Sequence, residues 1–185
     1  MGCTNSVKVS KTSCSNIETD QPTLTIKLGP QMDLTENETR IVKSTLHHMT
    51  KDISENGLRV FLRIFETCPE TKELFHVENS QHIELTRNQV IRGHGARFIS
   101  AIWAAVNCLD ESGDKQEKLR EVLFVLGQQH KDYSGFKAEY FEIFYDALMW
   151  QWELCIGDNF TSEVSDTWSH VFVYMMENLK EGYFS

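Results

Sequence analysis

Two histidines, His94 and His130, interrupt stripes of apolar residues that recur at helical spacing. A neutral imidazole binds metals well, although a lone histidine in such a stripe is more often an ordinary core residue. Zinc normally takes four ligands, and no cysteine or carboxylate is spaced to complete a set with these two. Two opposed imidazoles would instead suit one metal held in a large planar macrocycle. We therefore take His94 and His130 as candidate ligands of such a group.

Phenylalanines are abundant enough to line a wide, flat pocket around a macrocycle. The candidates are Phe61, Phe65, Phe75, Phe98, Phe136, Phe141 and Phe144. Each ring would bury a large apolar area against a flat ligand.

The first residues predict a different chemistry, the covalent attachment of lipid. Residues 1–6 follow the pattern M-G-x-x-x-S, which directs myristate to Gly2 once the first methionine is removed, and the adjacent Cys3 can carry palmitate. One myristoyl chain binds a bilayer reversibly, whereas two acyl chains anchor stably. Residues 1–31 are rich in Ser, Thr, Asn and Gln, so we expect a flexible acylated tail. This tail would attach the protein to the cytoplasmic face of the plasma membrane.

The net charge of the chain indicates which classes of partner to expect. The chain has 18 basic and 27 acidic residues, a formal charge of −9. Residues 1–31 hold three lysines and two acids (+1), which leaves −10 for the rest. Such an acidic domain cannot neutralise phosphates, so we expect no nucleic-acid partner. The longest apolar run, residues 101–106, is far shorter than the roughly 20 residues that span a bilayer.

Five cysteines without a C-x-x-C pair indicate a reducing, cytosolic compartment. For Cys68, Cys108 and Cys155, the alternatives are inert thiols or a redox-responsive disulfide between two of the three.

The elements that must position the two histidines are helical. Thr35 and Glu38 form a capping-box pattern that predicts a helix start. Apolar stripes predict further helices over residues 58–65, 90–109, 119–130, 140–152 and 164–179, with Val90 and Val122 on the apolar faces. Breaks are expected at residues 68–75, 110–114, 132–136 and 157–161. The sequence therefore predicts an all-α domain of six or more helices over residues 32–185.

Residues 34–183 resemble the globin family. The segment from Phe61 to Phe75, with Pro69 and Glu70 inside it, is similar to the globin segment that ends in a haem-stacking phenylalanine. Residues 92–95 (RGHG) and 126–130 (LGQQH) resemble the distal and proximal histidine segments. The lipidation motif and long tail further resemble the membrane-attached globin X group, and the distal region is similar to neuroglobin.

This resemblance implies a globin fold, a three-over-three α-helical sandwich that binds haem b. His130 would be the proximal ligand, with its second ring nitrogen donating to the carbonyl of Leu126. His94 would be the distal residue and the candidate sixth ligand. Phe75 would pack on the porphyrin face, and Arg97 would pair with a propionate.

Other positions carry over less directly. Phe98 stands where globins usually have a small aliphatic residue, so its bulk should crowd the ligand side. Phe61 offers no polar group that could hold a distal water, and Phe136 is among the rings expected to line the pocket.

The activity expected from these features is the binding of O2, NO or CO, with a redox, electron-transfer or gas-sensing role rather than bulk oxygen transport. A reductase or other electron-transfer partner would then supply reductant. The enzyme class stays open: nitrite reductase or NO dioxygenase side activity is consistent with such a site, whereas a dedicated hydrolase or transferase is not expected.

Two alternatives compete with this interpretation. Residues 110–121 place oxygen-bearing side chains at several ligand positions of an EF-hand loop, which suggests a myristoylated calcium sensor, but Lys115 stands where glycine is needed. The other alternative is a haem-free, membrane-tethered scaffold, against which the presence of both histidines argues.

Overall fold

The structure, a computed structural model, describes residues 29–108 and 113–185. Both lipidation candidates, Gly2 and Cys3, lie outside the described residues, as does most of the predicted tail.

The described residues form eight α-helices and no strand, which confirms the all-α prediction. The α-helices are α1 (Glu36–Thr45), α2 (His47–Thr50), α3 (Ile53–Thr67), α4 (His82–Arg87), α5 (Gln89–Cys108), α6 (Gly113–Asp132), α7 (Tyr140–Ile156) and α8 (Ser162–Tyr183). Two 3-10 helices, Pro69–Phe75 and Gly157–Asn159, connect neighbouring helices.

Side-chain caps fix where several helices begin. The predicted capping box at α1 is confirmed: the Glu38 amide donates to Thr35 Oγ1 over 3.2 Å, and the Thr35 amide donates to Glu38 Oε2 over 2.8 Å. Asp52 caps α3 by accepting from the Glu55 amide over 3.0 Å. These caps satisfy amides that have no partner within the first turn of each helix.

Two helix pairs form the frame, since α3 packs on α5 and α6 packs on α8, while α7 contacts both α3 and α8. The core between them is aromatic around Trp152, Trp168 and Phe172, whose ring centroids lie 4.8–5.4 Å apart. Trp168 is fully buried, and its indole N–H donates to Thr45 Oγ1 over 2.9 Å, which ties α8 to α1.

The apolar stripes predicted for α5 and α6 were wrong at one position each. Val90 is 66% exposed and Val122 is 55% exposed. In α5 the buried face instead runs through Ile91, Gly95 and Ile99. One face of α5 packs against α3, and a second face carries His94. The two faces are offset by about one residue around the helix axis, so a single apolar stripe does not describe both.

Two other expectations need correction. The break predicted over residues 68–75 is largely the 3-10 helix Pro69–Phe75, and α4 follows it without having been predicted. The alternative of a calcium loop over residues 110–121 is contradicted in its described part, because residues from Gly113 onward lie in the regular helix α6. Cys68, Cys108 and Cys155 are free thiols.

Over residues 29–108 and 113–185, none of the helices combines the length and the apolar character that crossing a membrane requires.

Candidate functional site

His130 lies near the end of α6, and its ring orientation is fixed. Its Nδ1 lies 2.7 Å from the carbonyl oxygen of Leu126, one turn earlier. A carbonyl oxygen only accepts, so Nδ1 carries the proton and the lone pair is on Nε2. Phe136 and Phe141 hold the ring from the side, with centroids 4.9 and 5.6 Å away. The imidazole therefore presents the lone pair of Nε2, which can bind a metal, in an apolar setting.

His94 lies on α5 against a wall of aromatic edges. Its ring packs nearly perpendicular to Phe61 at 5.0 Å and to Phe75 at 5.4 Å. One turn further along α5, Phe98 packs against Phe144 at 4.2 Å. Phe144 also contacts Phe61 at 6.1 Å, so these rings form a continuous apolar surface beside His94.

Electrostatics keep both histidines neutral. Burial, the positive charge of Arg97 and the proximity of His130 together lower the pKa of His94 to about 4, and burial is the largest of these causes. Burial also lowers the pKa of His130, although the hydrogen bond to Leu126 opposes that shift. His130 is close enough to His94 to be among the causes of that residue's lowered pKa. Both are thus in the unprotonated form that can bind a metal.

The site residues share an incomplete burial that suits a large apolar ligand. Phe75, Phe98, Phe136 and Phe144 pack against the core yet stay half-buried, as do both histidines. Aromatic rings of this size normally lose most of their exposure in a core. A flat group between α5 and α6 would cover the surface that they leave.

The donor set also fits a macrocycle. In the described part of the chain, no three His, Cys, Asp or Glu side chains group closely enough to hold a metal ion. A metal that brings four nitrogens of its own needs only one or two imidazoles from the protein, and His94 and His130 offer two.

Arg97 is exposed on α5, one turn beyond His94. Its guanidinium lies over Gly93, close enough to His94 to lower the pKa of that imidazole. Within residues 29–108 and 113–185 it forms no ion pair. The side chain is therefore available to an anionic group at the edge of the site.

The structure thus brings together most of the residues that the sequence singled out: His94, Phe61, Phe75, Phe98 and Arg97 on one side, and His130, Leu126 and Phe136 on the other. Phe144 matters more than its place among seven candidate rings indicated, because it joins Phe61 to Phe98.

Sequence reasoning missed the glycines that let the helices approach. A Cβ on Gly57 would overlap the backbone of Gly95 and lie 2.8 Å from the amide nitrogen of Ala96, and a Cβ on Gly95 would overlap the backbone of Gly57. Because Gly95 directly follows His94, this contact places the His94 segment of α5 against α3. The sequence did contain a signal for this contact. Gly95 lies inside the helix predicted over residues 90–109, and Gly57 directly precedes the helix predicted over residues 58–65.

A groove of about 320 Å³ lies apart from the histidines, beside Trp150. Its charged lining is internally paired, with Arg59 3.2 Å from Glu55, and Arg63 stacks over the Trp150 ring at 5.1 Å. The groove has one histidine in its lining, His82, and that side chain is exposed, so the groove offers no pair of half-buried imidazoles like His94 and His130.

Fold and site together define the class, an all-α domain that presents two imidazoles to one aromatic-lined space. The chain belongs to the globin family, whose sequence model matches residues 58–179. Membership of this family implies the binding of haem and of gaseous ligands.

Known relatives are distant and cover most of the chain. Cytoglobin-1 of Oryzias latipes is 24% identical over 154 residues, which are 81% of this chain and 84% of that protein. An anaerobic nitrite reductase of Physcomitrium patens is 26% identical over 78% of this chain and 79% of its own. Neuroglobin-1 of Oncorhynchus mykiss is 22% identical over 81% of this chain and 92% of its own.

The fold is shared with a solved structure, the hexacoordinated haem protein of an anhydrobiotic tardigrade at pH 4. The two superpose with a TM-score of 0.75 at 20% identity, covering 82% of this chain and 96% of that one. This similarity confirms the predicted globin fold.

Proposed function

We propose that this protein is a membrane-anchored globin that holds haem b in a six-coordinate, bis-histidyl state. His130 is the proximal ligand and His94 the distal ligand. Its role is redox, electron transfer or the sensing of O2, NO or CO, rather than bulk oxygen transport. The chain resembles the globin X group in its tail and lipidation motif, which supports this more specific assignment.

The observation that carries the proposal is the hydrogen bond from His130 Nδ1 to the Leu126 carbonyl. It removes any freedom of tautomer and leaves the Nε2 lone pair available to a metal. The same bond increases the basicity of the ring and therefore strengthens it as a ligand. A core histidine without such a role would gain nothing from a bare Nε2 in an apolar setting.

His94 supplies the second imidazole. Its low pKa keeps the ring neutral well below physiological pH, so protonation does not compete with the metal there. Phe61, which packs on the ring, offers no hydrogen bond that would hold a water in place of His94. The tardigrade protein that shares this fold is described as a hexacoordinated haem protein, which supports a six-coordinate state here.

The remaining residues bind and orient the group. Phe75 would pack on the porphyrin face, Arg97 would pair with a propionate, and Phe98 would restrict the space beside His94. Bound haem supplies the redox change and the affinity for gases. The protein sets how readily His94 gives up its position and how much water reaches the site.

The reaction class follows from these constraints. A tethered protein whose sixth position is already occupied is poorly suited to carrying oxygen in bulk, whereas one-electron exchange needs no open position. Nitrite reduction and NO dioxygenation are side activities of the same site, and relatives described as anaerobic nitrite reductases support the first. Either activity would draw electrons from a reductase or another electron-transfer partner.

Absorption spectra of the purified protein test the ligation. The ferrous wild type should show sharp six-coordinate bands. The His94→Leu variant should show a five-coordinate spectrum and should bind CO faster than the wild type. His130→Ala should lose stable haem incorporation. His82→Leu, which replaces an exposed histidine on α4, serves as the control and should leave the spectrum unchanged.

Two outcomes would contradict the assignment separately. A normal Soret band in His130→Ala would show that His130 is not the proximal ligand. A wild-type ferrous spectrum that is already five-coordinate would rule out ligation by His94 and leave His130 untouched.

A further inference from the structure

The segment of α6 that carries His130 rests on α8 through a contact between backbones. A Cβ on Gly127 would overlap the carbonyl oxygen of Leu179 and lie 2.9 Å from the amide nitrogen of Tyr183. A Cβ on Gly182 would overlap the carbonyl oxygen of Phe124 and lie 2.7 Å from its carbon. Neither position has room for any side chain, so the two helices touch as closely as backbones allow.

This contact lies directly beside the hydrogen bond that orients His130. Gly127 follows Leu126, whose carbonyl accepts from His130 Nδ1, and precedes His130 by one turn. The place where α6 touches α8 is therefore the place from which the imidazole is held. A shift of the helix there would move the ring with it.

Of the two helices, α8 is the more deeply buried. Its residues Trp168, Val171 and Phe172 are at most 1% exposed, so α8 is anchored in the core. By contrast, α6 is largely exposed on its outer side, where Val122 and Val125 face solvent. Displacing the contact would thus move α6 rather than α8.

We propose that Gly127 and Gly182 are positioning residues for His130: their contact sets how deep the imidazole sits in the site and so sets the strength of its bond to the haem metal. This inference rests on the proposed role of His130. It goes further in assigning the strength of that bond to a pair of glycines that do not touch the site.

The test uses the His94→Leu background, in which any bond between protein and haem metal depends on His130. Gly127→Ala in that background should lower the frequency of the iron–histidine stretching band of the ferrous form, or broaden that band. It should also speed haem loss by about 10-fold or more, the usual effect of disturbing the support of a metal ligand. Gly182→Ala should act in the same direction and less strongly, since its methyl meets α6 one turn further from His130.

Gly93→Ala in the same background is the matched control. It adds the same methyl to a helical glycine beside the other histidine, where the nearest atom is a guanidinium nitrogen of Arg97 at an ordinary 3.6 Å. We expect its stretching band and haem loss to match those of His94→Leu alone.

The outcomes separate cleanly. A folded Gly127→Ala with an unchanged band and unchanged haem loss overturns the positioning role. Collapse of helix content in both Gly127→Ala and Gly182→Ala, with Gly93→Ala folded, also overturns it, because the contact would then serve folding alone. If His94→Leu itself shows no five-coordinate iron–histidine band, the proposed function fails independently of the glycines.

Discussion

The two histidines differ in what holds them. His130 has a directional partner in the Leu126 carbonyl, whereas His94 is confined by the edges of Phe61 and Phe75. A hydrogen bond fixes one tautomer and one ring angle, while edge contacts limit rotation without selecting a single angle. This asymmetry suits a permanent ligand on one side and an exchangeable ligand on the other.

Acid should destabilise the haem-free protein through His94. Its folded pKa of about 4 lies below the ordinary value of 6.5, so the unfolded chain binds more protons between these pH values. Stability is therefore present at higher pH and is lost as pH falls through this window, by at most roughly 3–4 kcal/mol from this residue. The lowered pKa of His130 contributes in the same direction.

Urea unfolding of the haem-free protein at a series of pH values measures this effect. The free energy of unfolding should fall between pH 6.5 and 4, and His94→Leu should flatten the decline. His82→Leu is the control on an exposed position. A wild-type stability that stays constant over this window would show that His94 is not buried as a neutral ring.

At the scale of the elements, helix–helix ties depend on single buried polar contacts. Thr45 on α1 accepts from the indole N–H of Trp168 on α8 over 2.9 Å, and its hydroxyl donates to the Ile41 carbonyl over 2.7 Å. Thr45→Val keeps the shape and removes the acceptor, which leaves a buried indole N–H without a partner. The expected loss of folding free energy is about 1–3 kcal/mol.

Chemical denaturation of the haem-bound protein, at fixed haem concentration, checks this prediction. Thr39→Val, on the half-buried side of the same helix, makes the same chemical change away from Trp168 and should cost less. Equal losses in both variants would mean that the effect comes from valine in a helix and not from the contact between α1 and α8.

How much the sequence predicts depends on how many faces a helix buries. The stripe on α8, from Val164 to Leu179, is buried throughout, as its pattern indicates, because this helix turns one broad face to the core. In α5 and α6 the pattern mixes a core face with a face toward the histidine site, and Val90 and Val122 were wrongly placed for that reason. The close glycine contacts could not be predicted, since they depend on which helices cross and where.

The candidate site was more predictable than the packing around it. The carbonyl of Leu126 accepts from His130 because residues one turn apart meet on a helix, a rule that needs no tertiary information. That Phe144 joins Phe61 to Phe98 requires α7 to pass beside α3 and α5, which no local pattern encodes.

At the scale of the whole molecule, the chain joins the domain at a defined place. Arg120 on α6 donates to the carbonyl of Gly29, and Asn178 on α8 donates to the carbonyl of Pro30 over 3.2 Å. Met32, two residues after Pro30, is only 3% exposed. These contacts hold residues 29–32 against α6 and α8. A force on the preceding residues would therefore act on these contacts and not on the histidines.

The proposed anchor leads to the last prediction. Gly2→Ala removes the amide that accepts myristate, so the initial visit to the membrane is lost and the protein should move to the cytosolic fraction. Cys3→Ser keeps one acyl chain and should leave weak, salt-sensitive binding, helped only by Lys8 and Lys11. Ser10→Ala, outside the motif, is the control and should stay with the membrane.

Cell fractionation at low and high salt measures the distribution, and the absorption spectrum of each variant measures the haem site. The spectra should all match, because the contacts of Gly29 and Pro30 fix the domain's first residues independently of what precedes them. Undiminished membrane association of Gly2→Ala would show that lipid at this residue is not the anchor. A changed spectrum in that variant would instead show that the tail reaches the site.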